Sequence, residues 1–162
     1  MSTASTPTPP TTPQPSHASF MTWMQDLGDI MSLVENAPVQ GQYPLAILRA
    51  RVFASLWHGQ YLVLRQNHRA VAFVNWAWLS DALDTRYRQS QCYLAPEDWQ
   101  SGPHLWFMEI LGGSEHLQTL IQRLRDIIPP GTQAHWHEVH AVGGSSATLR
   151  SVRFGVSPSQ PK

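Results

Sequence analysis

Two kinds of hydrophobic spacing divide the chain into helices and strands. Between residues 20 and 35, apolar side chains recur at steps of three and four, which predicts an amphipathic helix that ends before Pro38. A second helix is predicted over residues 44–57, with Pro44 in its first turn. The buried stripe of this second helix is expected to consist of Ile47, Leu48, Val52 and Leu56.

The spacing then changes to that of strands. Residues 60–65 (QYLVLR) and 71–79 (VAFVNWAWL) predict a hairpin around a turn at residues 67–69, and the second strand is apolar enough to lie inside a sheet. A polar connection follows over residues 80–87. Residues 105–111 (LWFMEIL) predict another buried strand.

The last third of the chain predicts a helix and a second hairpin. Residues 115–128 place apolar side chains on one helical face, with Ser114 as the expected N-cap. Residues 133–142 and 147–154 predict two strands joined at Gly143-Gly144. Because helices and strands are partly segregated along the chain, the order of elements indicates an α+β domain.

The two ends of the chain differ from this folded region. Residues 1–19 are rich in proline, threonine and serine, and they cannot bury enough apolar surface to offset the entropy of ordering. We therefore expect a disordered tail at 1–19, one folded domain at 20–156 and a loose C-terminus at 157–162. The tail could instead be a proline-rich ligand for a partner domain.

Composition narrows the classes of function. Among 162 residues, 11 are basic and 11 acidic, which argues against nucleic-acid binding and against a polybasic membrane anchor. No apolar run approaches the ~20 residues that span a bilayer, and the N-terminus lacks the pattern of a secretory signal. The single cysteine, Cys92, excludes a disulfide framework within the chain and fits the reducing cytoplasm, where we expect the protein.

A series of short motifs follows the order of the predicted elements. The most specific is the block PEDWQSGPHLWFME at residues 96–109. The others are Leu27-Gly28, Tyr43-Pro44, Gln60-Tyr61, Val71-Ala72 and Trp76-Ala77. In order and spacing, these motifs resemble the toxin-activating lysine acyltransferases of bacterial RTX toxin systems, over roughly residues 27–128.

This resemblance implies a fold and an activity. The fold would be similar to the GNAT-type N-acetyltransferases, with a mostly antiparallel sheet flanked by helices. The activity would be transfer of a fatty acyl group from acyl-acyl carrier protein to internal lysines of a protoxin, in the cytoplasm. Acyl carrier protein and a protoxin or peptide precursor would be the partners, and no cofactor would be bound. The sequence leaves a homodimer or a heteromer open.

The resemblance also points to two site positions, and this chain differs from the family at both. Gln40 stands in the loop after the first helix, where the family has a histidine, and Glu109 stands on a strand, where the family has an aspartate. Glutamine cannot accept a proton at a useful pH, although its amide can orient a substrate or an oxyanion. The turn Gly102-Pro103-His104 also replaces a glycine-aspartate-arginine turn of the family.

Glu109 keeps the family's carboxylate on a longer side chain. Strand alternation is expected to place it on one face with Leu105, Phe107 and Leu111. A carboxylate without a partner in such surroundings favours its protonated form, which suits general acid/base work on a lysine nucleophile. Alternatively, Glu109 is an edge-strand residue whose head group reaches solvent.

Histidines offer further candidates. His104 enters the strand of Glu109, so a shifted site could use it as a base. His135 and His137 share a strand face, which could reflect a metal site, a polar half-exposed face or a weakly basic surface for an acidic partner such as acyl carrier protein. We expect no metal there, because no cysteine or carboxylate pattern completes a site and Glu138 is predicted on the opposite face.

Two functional hypotheses follow from these residues. The first is a protein-lysine fatty acyltransferase in which Glu109 orients or activates the nucleophile, with Gln40 and His104 completing the site. The second is a catalytically impaired or auxiliary protein that binds a toxin or peptide precursor, or an active partner subunit, since the histidine is missing. Four tryptophans fit either a simple core or an apolar slot for an acyl chain. They are Trp76, Trp78, Trp99 and Trp106.

Overall fold

The first helix packs its apolar face against the sheet. The computed structural model describes residues 17–139 and 147–155. Helix α1 (His17–Glu35) begins three residues before the predicted start and ends where predicted. Ile30 and Val34 are buried on its inner face, which accounts for the spacing of its apolar residues. Most of the predicted tail and all of the predicted loose C-terminus lie outside the described residues.

The second predicted helix is present, but it is irregular. It consists of α2 (Leu45–Leu48), a π-helical segment (Arg49–Phe53) and α3 (Ala54–His58). Val52 and Leu56 are buried as predicted, whereas Ile47 is 43% exposed and does not belong to the buried stripe. The wider π-helical turn rotates the side chains around the helix axis, so a stripe drawn at α-helical spacing does not hold along the whole segment.

The predicted first hairpin is confirmed. Strands β1 (Tyr61–Gln66) and β2 (Arg69–Leu79) pair antiparallel. Asn67 and His68 form the turn with φ angles of 48° and 61°. Two consecutive left-handed residues give a turn whose twist matches that of the flanking strands.

The polar connection after β2 forms a helix, α4 (Asp81–Gln89), and the first part of the motif block packs against its start. The block opens with a 3₁₀ helix (Pro96–Trp99). The Oγ of Ser101 accepts a hydrogen bond from the backbone N–H of Ser80 at 3.0 Å. A Cβ atom on Gly102 would lie only 2.5 Å from the Cα of Ser80. This part of the block therefore holds the end of β2 and the start of α4 together.

The third strand is followed by a shorter helix than predicted. The elements are β3 (His104–Gly112), a 3₁₀ helix (Ser114–His116) and α5 (Leu117–Arg125). The predicted cap at Ser114 is wrong, since this residue lies inside the 3₁₀ turn and Gly113 occupies the N-cap position. Leu117 and Ile127 are about half exposed, at 45% and 48%, because one begins the α-helix and the other lies beyond its end.

The last two strands complete a five-stranded sheet. Strands β4 (Gln133–Val139) and β5 (Ala147–Arg153) pair antiparallel, and the predicted turn at Gly143-Gly144 lies outside the described residues. The strand order is β1-β2-β3-β4-β5, and among the strands of the described residues only β3 and β4 run parallel. A parallel neighbour requires a crossover, which α5 provides. This arrangement confirms the α+β, GNAT-like fold with a mostly antiparallel sheet flanked by helices.

Apolar side chains cover both faces of the sheet. On one face, α5 contributes Leu120 and Leu124 to a cluster with Trp76 and Phe107. On the other face, α1, α3 and α4 cover two neighbouring clusters that contain Phe73, Ala77 and Leu111. No helix in the described part of the chain has the length and apolar character that crossing a membrane requires.

An irregularity between β2 and β3 sets the direction of Glu109. Asn75 lies opposite Glu109, but Trp76 lies opposite Phe107, so β3 carries one extra residue between them. Residues opposite each other on paired strands project from the same face, and Asn75 and Trp76 project from opposite faces. Glu109 therefore shares a face with Leu111, as predicted, but not with Leu105 and Phe107. That part of the prediction is wrong, because the bulge shifts the alternation by one residue.

Candidate active site

The bulge places Glu109 next to a buried hydrogen-bond network that is centred on Asn75. The backbone N–H of Glu109 donates to the Oδ1 of Asn75 at 2.8 Å. The Nδ2 of Asn75 donates to the carbonyl oxygen of Arg51 at 2.7 Å and to the Oγ of Ser55 at 3.0 Å. Asn75 has no exposed surface, so these contacts connect the central strand rigidly to the π-helical segment. Glu109 itself is 5% exposed.

Arg51, from the π-helical segment, is the charged partner of Glu109. Its Nε donates to the Oε1 of Glu109, and its two terminal nitrogens donate to the carbonyl oxygen of Met108 at 2.6 Å and the Oε1 of Gln91 at 2.8 Å. Burial lowers the pKa of Arg51, but the charges of Tyr87 and Glu109 outweigh this effect and leave it raised. The guanidinium is therefore a permanent positive charge beside the carboxylate.

Gln40 completes the cluster from the loop after α1. It begins a 3₁₀ turn (Gln40–Gln42), and its Nε2 donates to the Oε2 of Glu109 at 3.1 Å. The turn lies so close to the end of α1 that a Cβ on Gly41 would be 2.9 Å from the carbonyl oxygen of Val34. The structure thus joins the two predicted site residues, which are 69 positions apart in the chain.

A cavity of about 340 Å³ opens beside this cluster, where β3 and β4 diverge. Within the described residues, these strands pair only at Leu105–Ala134 and Trp106–His135. The cavity is lined by residues of the loop after α1, of the π-helical segment and of both strands. They include Gln40, Tyr43, Arg51, Glu109, Trp136 and His137.

Tyr43 contributes a phenol to the wall of this cavity. Burial raises its pKa above the ordinary value, and the nearby charge of Glu109 adds to the effect. The phenol therefore stays neutral at physiological pH, where its hydroxyl can donate or accept a hydrogen bond.

His137 lies on the β4 side of the same cavity. Its Nε2 is 2.6 Å from the carbonyl oxygen of Tyr87, and its ring stacks on Trp106 with centroids 5.3 Å apart. The other ring nitrogen, Nδ1, is buried and has no hydrogen-bond partner.

The remaining candidate histidines lie elsewhere. His104, at the first position of β3, pairs with the Oδ1 of Asp81 at 2.7 Å, and the structure does not bring it to the cavity of Glu109. The Nε2 of His135 lies 2.9 Å from a terminal nitrogen of Arg88. No group of three histidine, cysteine, aspartate or glutamate side chains in the described ranges could hold a metal ion.

The tryptophans named from the sequence are mainly core residues. Trp76, Trp99 and Trp106 are at most 4% exposed, and Trp78 packs against the cluster under α5. Of these four, Trp99 also lines a small cavity of about 140 Å³. Three other tryptophans line the two larger spaces. They are Trp136 in the Glu109 cavity and Trp23 and Trp57 in a separate groove.

That groove is open, apolar and aromatic. It has a volume of about 440 Å³ and lies between α1, the α2–α3 stretch and the segment before the motif block. A smaller cavity of about 140 Å³ shares Ala50 and Leu94 with the groove, and Arg51 and Met108 with the Glu109 cavity. The Glu109 cavity, the small cavity and the groove are therefore neighbours, in that order, between the carboxylate of Glu109 and Trp57.

Comparison with known proteins identifies the family. The model of the RTX toxin acyltransferase family matches residues 21–153. The chain belongs to this family. One relative, the leukotoxin-activating lysine-acyltransferase LktC of Pasteurella haemolytica-like sp., is 31% identical over 101 residues, which are 62% of this chain and 61% of the relative. The chain thus spans about three fifths of the length of that relative.

Two further members of the RTX toxin acyltransferase family are more distant. The lysine-acyltransferase RtxC of Vibrio cholerae is 25% identical over 115 residues, or 70% of this chain and 75% of the relative. The protein-lysine myristoyltransferase HlyC of Escherichia coli is 28% identical over 86 residues, or 53% of this chain and 49% of the relative.

Two residues of this family member were not predicted for the Glu109 site. Arg51 follows Ile47 by four positions and Leu48 by three, so it lies on the predicted apolar face of the helix. A charged residue on a buried face was the signal in the sequence for a buried ion pair. His137 carried no such signal, because its distance from Glu109 depends on how β3 and β4 diverge.

Proposed function

We propose that the protein transfers a fatty acyl group from acyl-acyl carrier protein to lysine side chains of an RTX protoxin and thereby activates the toxin. The observation that carries the proposal is the hydrogen bond between Gln40 and Glu109, two residues that line the cavity between the diverging strands. Membership of the RTX toxin acyltransferase family supports the reaction class.

Glu109 is proposed to bind and orient the lysine. Its two oxygens each accept one hydrogen bond, from Arg51 and from Gln40, and an ionised carboxylate offers about four acceptor positions. The remaining positions can receive the lysine ammonium. Gln40 carries a second N–H, which can donate to the oxygen of the thioester as negative charge develops there.

The acyl chain is proposed to lie in the spaces that follow the carboxylate. An acyl chain needs an apolar channel that is continuous with the reacting carbonyl. The small cavity and the groove offer alanine and aromatic surfaces in that position. No bound cofactor is required, since the thioester itself is the activated group. We place the reaction in the cytoplasm, which fits a chain whose single cysteine, Cys92, is free.

The test is acylation in vitro. Purified protein is incubated with acyl-acyl carrier protein and the RTX protoxin encoded beside it, and acyl-lysine is detected by mass spectrometry. The native protein should form acyl-lysine, and Glu109→Gln should reduce the rate by about 100-fold or more, as expected for a group that positions the nucleophile. Circular dichroism checks that the variant is folded.

Glu97→Ala is the matched control. Glu97 belongs to the same motif block but is exposed in the 3₁₀ turn, so its removal should leave the rate unchanged. Equal activity of the native protein and Glu109→Gln would contradict the proposed role of Glu109. Absence of acyl-lysine with the native protein would contradict the proposed function.

A second candidate function has one observation in its favour. Arg51 and Gln40 already donate one hydrogen bond to each oxygen of Glu109. Gln40, which stands in the place of the family histidine, cannot accept a proton. This arrangement also fits an impaired or auxiliary member that binds a toxin precursor or an active partner subunit. In that case the native protein transfers nothing, and Gln40→His restores transfer.

A further inference from the structure

Acyl transfer to lysine needs a proton acceptor that the Gln40–Glu109 cluster does not supply. Free lysine has a pKa near 10.4, so at neutral pH almost all of it is the ammonium, which has no lone pair for attack. Both oxygens of Glu109 already accept a hydrogen bond, one from Arg51 and one from Gln40. Glu109 can therefore attract and orient the ammonium, and a separate group is needed to take its proton.

The hydrogen bond of His137 determines which of its nitrogens has a lone pair. A carbonyl oxygen only accepts, so the Nε2 of His137 must carry the hydrogen that it donates to Tyr87. In neutral imidazole, the other nitrogen then has the free lone pair. That nitrogen, Nδ1, is the one without a partner.

The neighbouring histidine has the opposite arrangement. A terminal N–H of Arg88 donates to the Nε2 of His135, so the lone pair of His135 is already used. The Nδ1 of His135 is also buried without a partner, but in the neutral ring it carries the hydrogen and cannot accept a proton. His135 and His137 lie two positions apart on β4, but only His137 lines the cavity of Glu109. A buried acceptor without a partner costs about 1–3 kcal/mol, so the free Nδ1 requires an explanation.

We propose that His137 is the general base of this protein and that its Nδ1 takes the proton from the lysine that Glu109 binds. The inference rests on the proposed acyl transfer and adds a residue to that reaction. The base thus comes from β4, on the far side of the cavity, while the loop after α1 supplies the amide of Gln40.

The step balances with the groups at hand. The Nδ1 of His137 takes one proton from the lysine ammonium, and the neutral amine adds to the thioester carbon. The C–N bond forms, the C–S bond breaks, and the second proton of the attacking nitrogen goes to the departing thiolate. The products are the amide, the thiol of the carrier and one proton, which His137 releases to solvent.

Access to Nδ1 requires a local movement. The atom is closed to solvent in the free protein, and its ring contacts the rings of Trp106 and Tyr87. The strands β3 and β4 pair at only two positions, so the cavity can widen where the strands diverge without breaking hydrogen bonds between them. Tyr87 on α4 contacts the ring, and the charged and titratable residues that line the cavity with His137 are Tyr43, Arg51, Glu109 and Glu138.

The test compares His137→Gln with the native protein in the acylation assay. Glutamine keeps an N–H for the carbonyl of Tyr87 but cannot accept a proton. We expect kcat/KM to fall by at least about 100-fold. The pH dependence of kcat/KM should differ between the native protein and the variant, because only the native protein has an imidazole that accepts the proton. Adding Gln40→His to the variant should restore part of the rate, which a purely structural defect would not allow.

His135→Gln is the matched control, because it alters the same strand face outside the cavity. It should keep most of the native kcat/KM and the native pH profile. Native activity together with an undiminished His137→Gln would overturn the inference and leave the proposed function standing. Equal losses in both variants, with no rescue by Gln40→His, would also overturn it. A native protein that forms no acyl-lysine contradicts the proposed function itself.

Discussion

At the residue scale, the carboxylate of Glu109 has a different environment from the one that its apolar strand suggests. A lone carboxylate there would favour its neutral form. Glu109 is not alone, because the guanidinium of Arg51 and the amide of Gln40 each donate a hydrogen bond to one of its oxygens. Because breaking one half of a buried ion pair leaves an uncompensated charge, Arg51 and Glu109 must be changed together or conservatively in any experiment.

The acid sensitivity of the fold is predicted to depend partly on His135. Burial lowers the pKa of this imidazole below its ordinary value of 6.5, and the adjacent charge of Arg88 adds to the effect. The unfolded chain therefore takes up a proton at a higher pH than the folded chain. The stabilising contribution is complete above about pH 6.5 and is lost as the pH falls through the folded pKa.

The measurement is urea unfolding of the native protein and of His135→Gln at pH 7.5 and pH 5.5, pH values chosen on either side of about 6.5. The free energy of unfolding should decrease less between these pH values in the variant. His68→Asn is the control, since His68 is exposed in the left-handed hairpin turn and asparagine tolerates that conformation. The same decrease in the native protein and His135→Gln would contradict the prediction.

At the element scale, two irregular segments assemble the site. The π-helical segment delivers the side chain of Arg51, and the bulge in β3 turns Glu109 towards it. Both irregularities redirect a side chain by about one position relative to the regular element. The motif block before β3 has another role, because it fixes the junction of β2 and α4 through Ser101 and Gly102.

Gly102→Ala is predicted to destabilise the fold. The new Cβ would lie within 2.7 Å of three backbone atoms of Leu79 and Ser80, which cannot move without disturbing the end of β2. Such overpacking costs about 1–3 kcal/mol in the free energy of unfolding, measured by urea denaturation.

Gly28→Ala provides the opposite control for this prediction. Gly28 lies inside α1, and a Cβ there would meet no atom within 4 Å. Alanine in an unobstructed helix position should raise the free energy of unfolding by about 0.5–1 kcal/mol. If Gly28→Ala lowers the free energy of unfolding while Gly102→Ala leaves it unchanged, the close contact between Gly102 and the backbone of Leu79 and Ser80 is refuted.

At the scale of the whole molecule, the site lies where the helices on one face of the sheet contact the strands β3 and β4. The π-helical segment on one face of the sheet supplies Arg51, β3 supplies Glu109, and the divergence of β3 and β4 opens the cavity. The groove behind Ala50 is formed by α1, the α2–α3 stretch and the segment before the motif block. No single element contains the path from Glu109 to Trp57.

Ala50→Phe is predicted to narrow this path where the small cavity joins the groove. Transfer from a long-chain acyl donor should fall by at least about tenfold relative to transfer from a short-chain donor, since a few blocked methylenes remove that much binding energy. The measurement is kcat/KM with both donors. Ala82→Phe, on the exposed face of α4, is the control. A uniform loss with both donors would contradict an acyl path through Ala50.

The sequence by itself determined the elements, the α+β class and the family. Helices and strands repeat burial with a local period, so they can be recognised without knowledge of distant contacts. The positions of Gln40 and Glu109 followed from motifs of fixed order. The predicted stripe through Ile47 failed, because a π-helical turn leaves no clear signal in the spacing of apolar residues.

Only the tertiary structure decided how these residues act together. The contacts of Glu109 with Gln40 and Arg51 join residues 69 and 58 positions apart. His137 reaches the cavity only because β3 and β4 separate after two paired positions. Such contacts depend on how the layers pack and where a strand carries an extra residue. Side-chain periodicity records which face is buried, but it does not record which distant group lies on that face.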